Sequence, residues 1–339
     1  MRKFKSLGIA IIFALFSFVT CTQMSTGPKV RSSKAEDMLN LIPKDTSVAL
    51  FINFQRIVTI EALDKLIKEQ MNKEMFEKFT DYQKFIEATG IDPLRDIFFI
   101  AAASTGELEE DKEEGFGIIN LKYEKDTLLS WIKEKTEKEQ NLKEERYNGF
   151  TIFTIKEKDE DISIAFINDS NIVAGNKGEV QAVVDVIRKK RENIYKNEAF
   201  SSLLAQTNKE SILWGGVIIP PEFKKKISDK YPMLNIIESV NALSLSFDYR
   251  NKNIIIDNKI MCRDEAKNQE IANSLNQLKA MGAVIQIQDF NLGDILNRIE
   301  ISAGPDHVRI YANFPEDLPE NLIDKFTKKK KKKKELNQK

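Results

Sequence analysis

Strict two-residue alternation of apolar and polar side chains is the property that most restricts this chain. Leu243, Leu245, Phe247 and Tyr249 alternate with Ser244, Ser246 and Asp248. Val308, Ile310, Ala312 and Phe314 alternate with Arg309, Tyr311 and Asn313, and Ile162, Ile164 and Phe166 repeat the pattern. Successive side chains of a strand point to opposite faces, so the pattern predicts antiparallel sheet with its apolar side covered. Turn-forming residues at Asn148-Gly149, 158–161, 169–171, 250–253 and 304–306 separate the strands and predict hairpins.

Between the strands the period changes to that of a helix. Helices are expected over 60–89, 126–138, 179–191 and 264–281, the last burying Ile271, Leu275 and Leu278. Shorter ones are expected at 35–41, 199–206, 222–227 and 318–326. The expected fold class is α+β, with antiparallel sheets covered by helices on one face. The element order repeats, strand then helix then hairpins, which suggests two pseudo-repeated halves at 35–195 and 196–327. Pro43-Lys44-Asp45-Thr46-Ser47-Val48 opens the first and Asn208-Lys209-Glu210-Ser211-Ile212 the second.

The N-terminus carries an address. Arg2, Lys3 and Lys5 precede an apolar run over 7–19, which ends at Thr20-Cys21. That run is about 13 residues, short of the ~20 needed to span a bilayer. A basic region, an apolar region and a small residue describe a secretory signal over 1–20. Cys21 resembles the lipidation point of bacterial lipoproteins, although Phe18 stands where Leu is usual and Thr20 is larger than the favoured small residues. Ordinary cleavage nearby is the alternative. The resemblance implies acyl chains on Cys21, and the absence of Asp at position 22 resembles the outer-membrane pattern of Gram-negative cells. Residues 21–34 are polar, with Gly, Pro and Ser, and read as a flexible tether. Twelve such residues extend to ~40 Å.

Leu41-Ile42-Pro43-Lys44-Asp45-Thr46-Ser47-Val48 and Thr89-Gly90-Ile91-Asp92-Pro93-Leu94-Arg95-Asp96-Ile97 resemble segments of a group of uncharacterised exported bacterial proteins. The resemblance implies the α+β layout and carries no activity. Physically, Pro43 and Asp45 mark the start of a strand, and Gly90 and Pro93 mark a helix stop and a turn.

Charge and residue usage exclude several chemistries. Residues 35–327 hold 38 basic and 51 acidic residues, net −13, which opposes nucleic-acid binding. His307 is the chain's one histidine and is expected as an exposed turn residue. With Cys21 committed to the N-terminus, Cys262 has no disulfide partner and reads as a small buried hydrophobe. This residue set does not supply the usual zinc or Cys–His sites, so no metal or cofactor is expected. The acidic run 107–114 lacks the spacing of a calcium loop and reads as a solvated loop. Lys328, Lys329, Lys330, Lys331, Lys332, Lys333 and Lys334 form a basic block suited to an anionic surface, within a tail at 328–339.

These observations predict a non-enzymatic, membrane-anchored envelope protein that binds or scaffolds, with an unidentified envelope protein as partner. The alternative is a periplasmic carrier of an apolar ligand such as a lipid, held against Met71, Met75, Phe76, Phe79 and Phe85. A third reading is a hydrolase using paired carboxylates.

Overall fold

The computed structural model describes residues 33–60, 83–105, 115–137, 141–156, 161–230, 237–284, 286–287 and 290–316. The leader, Cys21, residues 22–32 of the expected tether, Met71, Met75, Phe76, Phe79, the run 107–114, the helix expected at 318–326 and Lys328 to Lys334 lie outside them, whereas positions 33 and 34, also expected in the tether, open the first helix. The fold is α+β, built on antiparallel sheet. It divides into two compact units, 1–246 and 247–339. The halfway boundary expected near 195 thus falls inside the first unit.

The strands of the first unit are β1 (Val48–Asn53), β2 (Ile97–Ser104), β3 (Phe116–Leu121), β4 (Leu142–Tyr147), β5 (Phe150–Ile155), β6 (Ile162–Phe166), β7 (Asn171–Gly175) and β8 (Leu213–Ile218). Their order is β8-β1-β2-β3-β7-β6-β5-β4, and each of these pairings is antiparallel. The strand β9 (Ala242–Arg250) lies beside β8 and crosses the unit boundary.

Register explains the core. One row of partners runs Trp214, Phe51, Ala101, Ile118, Val173, Ala165 and Ile152 across seven strands. All seven are 0–1 % exposed. Trp214 and Phe51 stack at 4.2 Å between ring centroids. Burying each large side chain of such a row is worth about 1.5–3 kcal/mol.

Helices cover this face. They are α1 (Ser33–Leu39), α5 (Lys177–Ile187) and α6 (Glu198–Ala205), with a 3-10 turn at Ile194–Lys196. Their apolar residues recur at helical spacing: Val180, Val183 and Val184 on α5, and Phe200, Leu203 and Leu204 on α6. Asn197 caps α6 by accepting from Phe200 N at 3.1 Å. Gly216 faces α6, because a Cβ there would lie 2.6 Å from Leu203 Cδ1.

The opposite face carries Ile100, Phe153, Phe166 and Ile172, packed with Leu128 of α4 (Lys125–Glu137). Phe54 of α2 (Phe54–Ile57) and Ile91, just before α3 (Pro93–Asp96), join this cluster. The expectation of helices on one face alone is therefore corrected in this unit. The apolar alternates of β1–β3 and β5–β7 supply two hydrophobic faces, and each takes a helix.

Two motifs act as joints. Gly90 adopts φ +70° and ends the helical segment 83–89, and Thr89 Oγ1 donates to Phe85 O at 2.6 Å. Asp92 then caps α3 by accepting from Leu94 N at 3.1 Å. Pro43 bridges to Asn193, and Lys44 N donates to Glu192 O at 2.9 Å, which fixes the start of β1.

Asn148 and Gly149, both at positive φ, form the hairpin between β4 and β5. Sequence reading left β4 unassigned, because its Leu-Lys-Glu-Glu-Arg-Tyr is charged and at the sheet edge. An exposed helix, α7 (Pro221–Lys230), follows β8.

In the second unit the end of β9 leads to β10 (Asn253–Met261) through Asn251 and Lys252, both at positive φ. Then come α8 (Glu265–Ala283), a ribbon of β11 (Gln286–Ile287) with β12 (Phe290–Asn291), α9 (Gly293–Leu296), β13 (Ile299–Ala303) and β14 (His307–Pro315). The order β13-β14-β10 is antiparallel.

The helix α8 protects the free edge of β13. Lys279 Nζ donates to Ile299 O at 2.8 Å and Asn276 Nδ2 to Ile301 O at 3.2 Å. Asn268, fully buried, ties Cys262 O and Gly304 O together. Ile271 is buried as expected, but Leu278 is 60 % exposed, which corrects the assignment of Leu278 to the core. The helix turns Asn276 and Lys279 toward β13, and Leu278 falls outside that contact.

Candidate functional site

The strand β9 reverses its expected sides. Ser244, Ser246 and Asp248 are buried, while Leu243, Leu245, Phe247 and Tyr249 are half-buried. Thr207 Oγ1 lies 2.7 Å from Ser244 Oγ, and Ser211 Oγ lies 2.7 Å from Ser246 Oγ. Arg250 pairs with Asp248. These short side chains allow residues 207–211 to pack against the strand, and hydrogen bonds offset the cost of burying their hydroxyls.

Among the described residues an open groove lies between α4 and the segment 83–89. It encloses about 410 Å³ and is lined by Ala88, Asp126, Thr127, Ser130, Trp131 and Glu134. The residues 127, 130, 131 and 134 share one helix side at the i, i+3, i+4, i+7 spacing. The Trp131 ring meets Phe85 edge-on at 5.0 Å, and Lys135 Nζ lies 5.9 Å from its centroid. Two carboxylates and two hydroxyls beside an indole suit hydrogen bonding to a polar or cationic group. Of the side chains expected to hold an apolar ligand, Phe85 is in the described part, and it packs into the core beneath this groove.

A second feature is Glu179 in the first turn of α5, buried at 5 % exposure. Its Oε1 accepts from Thr105 N at 3.0 Å and Thr105 Oγ1 at 2.7 Å, while Oε2 has no partner among the described residues. Desolvation raises its pKa, the Thr105 hydrogen bonds oppose that, and Asp45 adds a repulsion. Asp45 itself pairs with Arg191. Glu179 thereby fixes the end of β2 where the chain enters the acidic run.

His307 is half-buried and opens β14, with Nδ1 at 2.7 Å from Asp306 Oδ1. It is a strand-end residue rather than the exposed turn residue expected. Cys262 is 2 % exposed and free, as a small hydrophobe should be. Among the described residues no group of three His, Cys, Asp or Glu is arranged to hold a metal ion. No helix among them is long and apolar enough to cross a membrane.

Cys21 and the seven lysines, the sites singled out in the sequence, lie outside the described residues. The groove residues and Glu179 were not singled out. The helical spacing of 127, 130, 131 and 134 is the one signal that pointed to the groove, and a mixed polar stripe looks like any solvated helix face. Nothing local marks Glu179, because its burial comes from β2, which lies 74 residues away at Thr105.

No protein-family model matches the chain, and no curated protein matches it. Among solved structures it is similar to TP0453 in three crystal forms, at 10–11 % identity and TM-scores of 0.41–0.42. These alignments cover 84 % of this chain and 95–96 % of TP0453.

Proposed function

We propose that this is an exported, lipid-anchored cell-envelope protein that binds or scaffolds at a membrane surface without enzymatic activity. The observation that carries the reading is the succession of Arg2, Lys3 and Lys5, the apolar run 7–19, Cys21 and the polar stretch after it. The fold supports the tether, since packing begins at α1 directly beyond it, where Ala35, Met38 and Leu39 are 0–2 % exposed. Acyl chains on Cys21 would hold the body near the bilayer, and more than one chain gives stable anchoring. The outer membrane is the proposed location in a Gram-negative cell.

Mass spectrometry of the mature N-terminus tests this. The expected product starts at an acylated Cys21; an unmodified terminus beyond residue 21, or an intact Met1, refutes it. Pull-down of envelope partners with and without the lysine tail tests the binding role. The apolar-carrier alternative gains less support, because the groove over Phe85 presents Asp126, Thr127, Ser130 and Glu134.

We also propose an internal duplication. In the first unit β3 leads to α4, and the later β6–β7 hairpin gives the order β3-β7-β6. In the second, β10 leads to α8, and the later β13–β14 hairpin gives the order β10-β14-β13. The same succession in both supports the repeat, with the second copy beginning near β8.

A further inference from the structure

Among the described residues, large apolar side chains at the surface are few, and they cluster. Among the described residues, four are exposed: Tyr195 at 38 %, Leu278 at 60 %, Met281 at 68 % and Val284 at 83 %. Three of the four fall within seven residues at the C-terminal end of α8 and its cap. Their spacing of three places them along one side of the helix. The flank of this stripe is held in place: a Cβ on Gly282 would lie 2.7 Å from Leu296 Cδ1 of α9. The first half of α8 is different, for there the exposed residues include Glu265, Lys267, Gln269, Glu270 and Asn273. The apolar stripe is thus confined to one end of a polar helix.

Charge indicates what covers it. No Asp or Glu occurs from residue 271 to residue 288, in a chain where acids are otherwise frequent. In sequence the lysine block 328–334 follows β14 by about a dozen residues. An apolar stripe without acids, on a chain that continues after β14 into seven lysines, matches the charge of an anionic lipid surface. Apolar side chains then enter the headgroup boundary while lysines meet lipid charge. We infer that Leu278, Met281 and Val284 form a second membrane contact, which lays the second unit on anionic lipid. This rests on the membrane-surface reading above.

The test uses the full chain with Cys21→Ser, since buried Cys262 is shielded from labelling. An environment-sensitive fluorophore is placed on Val284→Cys and, as a control, on Ala266→Cys near the polar start of α8. Vesicles are three parts phosphatidylcholine to one part phosphatidylglycerol, or phosphatidylcholine alone. The expected result is a blue shift at 284 with anionic vesicles, none at 266, and loss of the 284 shift on adding Met281→Asp. If the chain co-sediments with vesicles but the 284 signal does not move, the contact is refuted while membrane residence stands. Failure to co-sediment refutes the second contact and leaves the Cys21 anchor, which this variant lacks, to the mass-spectrometric test. A shift at 284 that grows with protein concentration without vesicles identifies a second copy as the cover and overturns the lipid assignment. An equal shift with phosphatidylcholine alone overturns the role given to charge.

Discussion

Gly215 and Gly216 sit side by side in β8, and the structure assigns them different tolerances. Gly215 has φ +152°, a region that L side chains rarely adopt. A Cβ there would collide with Ala49 O, lie 2.8 Å from Leu50 Cα and 3.0 Å from Ala49 C, all backbone of β1. Relief requires parting β8 from β1. Backbone strain of about 1–3 kcal/mol adds to a similar overpacking cost, so Gly215→Ala should lose about 2–6 kcal/mol. At Gly216 the nearest atoms are the Leu203 methyls, which can turn away, although Leu243 O at 2.7 Å cannot easily do so. Gly216→Ala should lose about 1–3 kcal/mol. The chain has two tryptophans, so in a Trp131→Phe background the buried Trp214 alone reports unfolding of the first unit. With a urea slope of about 2.5 kcal/mol per M, the midpoint should fall by about 0.8–2.4 M for Gly215→Ala and about 0.4–1.2 M for Gly216→Ala. Leu203→Ala should offset part of the Gly216→Ala loss and leave the Gly215→Ala loss unchanged. A Gly215→Ala midpoint that falls less than that of Gly216→Ala refutes the reasoning.

Lys252 holds φ +60° in the turn between β9 and β10, where an L residue is strained by about 1 kcal/mol. Lys252→Gly should raise the urea stability of the second unit by a few tenths to about 1 kcal/mol, and a loss would show that its partner Glu316 matters more. Glu179 has its folded pKa raised, so its contribution is fully present below the ordinary carboxylate value and is lost as pH rises through the raised value. Glu179→Gln should therefore gain on the parent chain across that window, as read by urea midpoints; a gap that does not change with pH counts against burial as the cause. Leu128→Ala, under the Phe153–Phe166 pair, should cost about 2–5 kcal/mol, checked by the same titration.

Much of the architecture follows from local pattern, and the failures share a cause. Asn148-Gly149 predicted a hairpin because only a few residue types hold positive φ in adjacent positions, and the structure has it. The span of α8 followed from helical period and from Asp264, which caps it by accepting from Lys267 N at 3.1 Å. Period alone does not say which side is covered. At Leu278 it pointed inward, yet the residue is exposed, because α8 meets β13 through Asn276 and Lys279 and Leu278 lies off that contact. At β9 the alternation was legible and its sense was not. Apolar residues are placed inward by default because burying them gains free energy, whereas buried hydroxyls need partners. Here the partners exist, in Thr207 and Ser211, more than thirty residues away in sequence, and Gly216 in the neighbouring β8 lets Leu203 press close. A local pattern cannot carry that information, since the hydrogen-bonding half of the pair lies elsewhere in the chain. The same holds for Glu179, whose carboxylate is assigned its place by Thr105. Alternation therefore predicts that a strand has two unlike faces, and the pairing of distant polar groups decides which of them the helices cover.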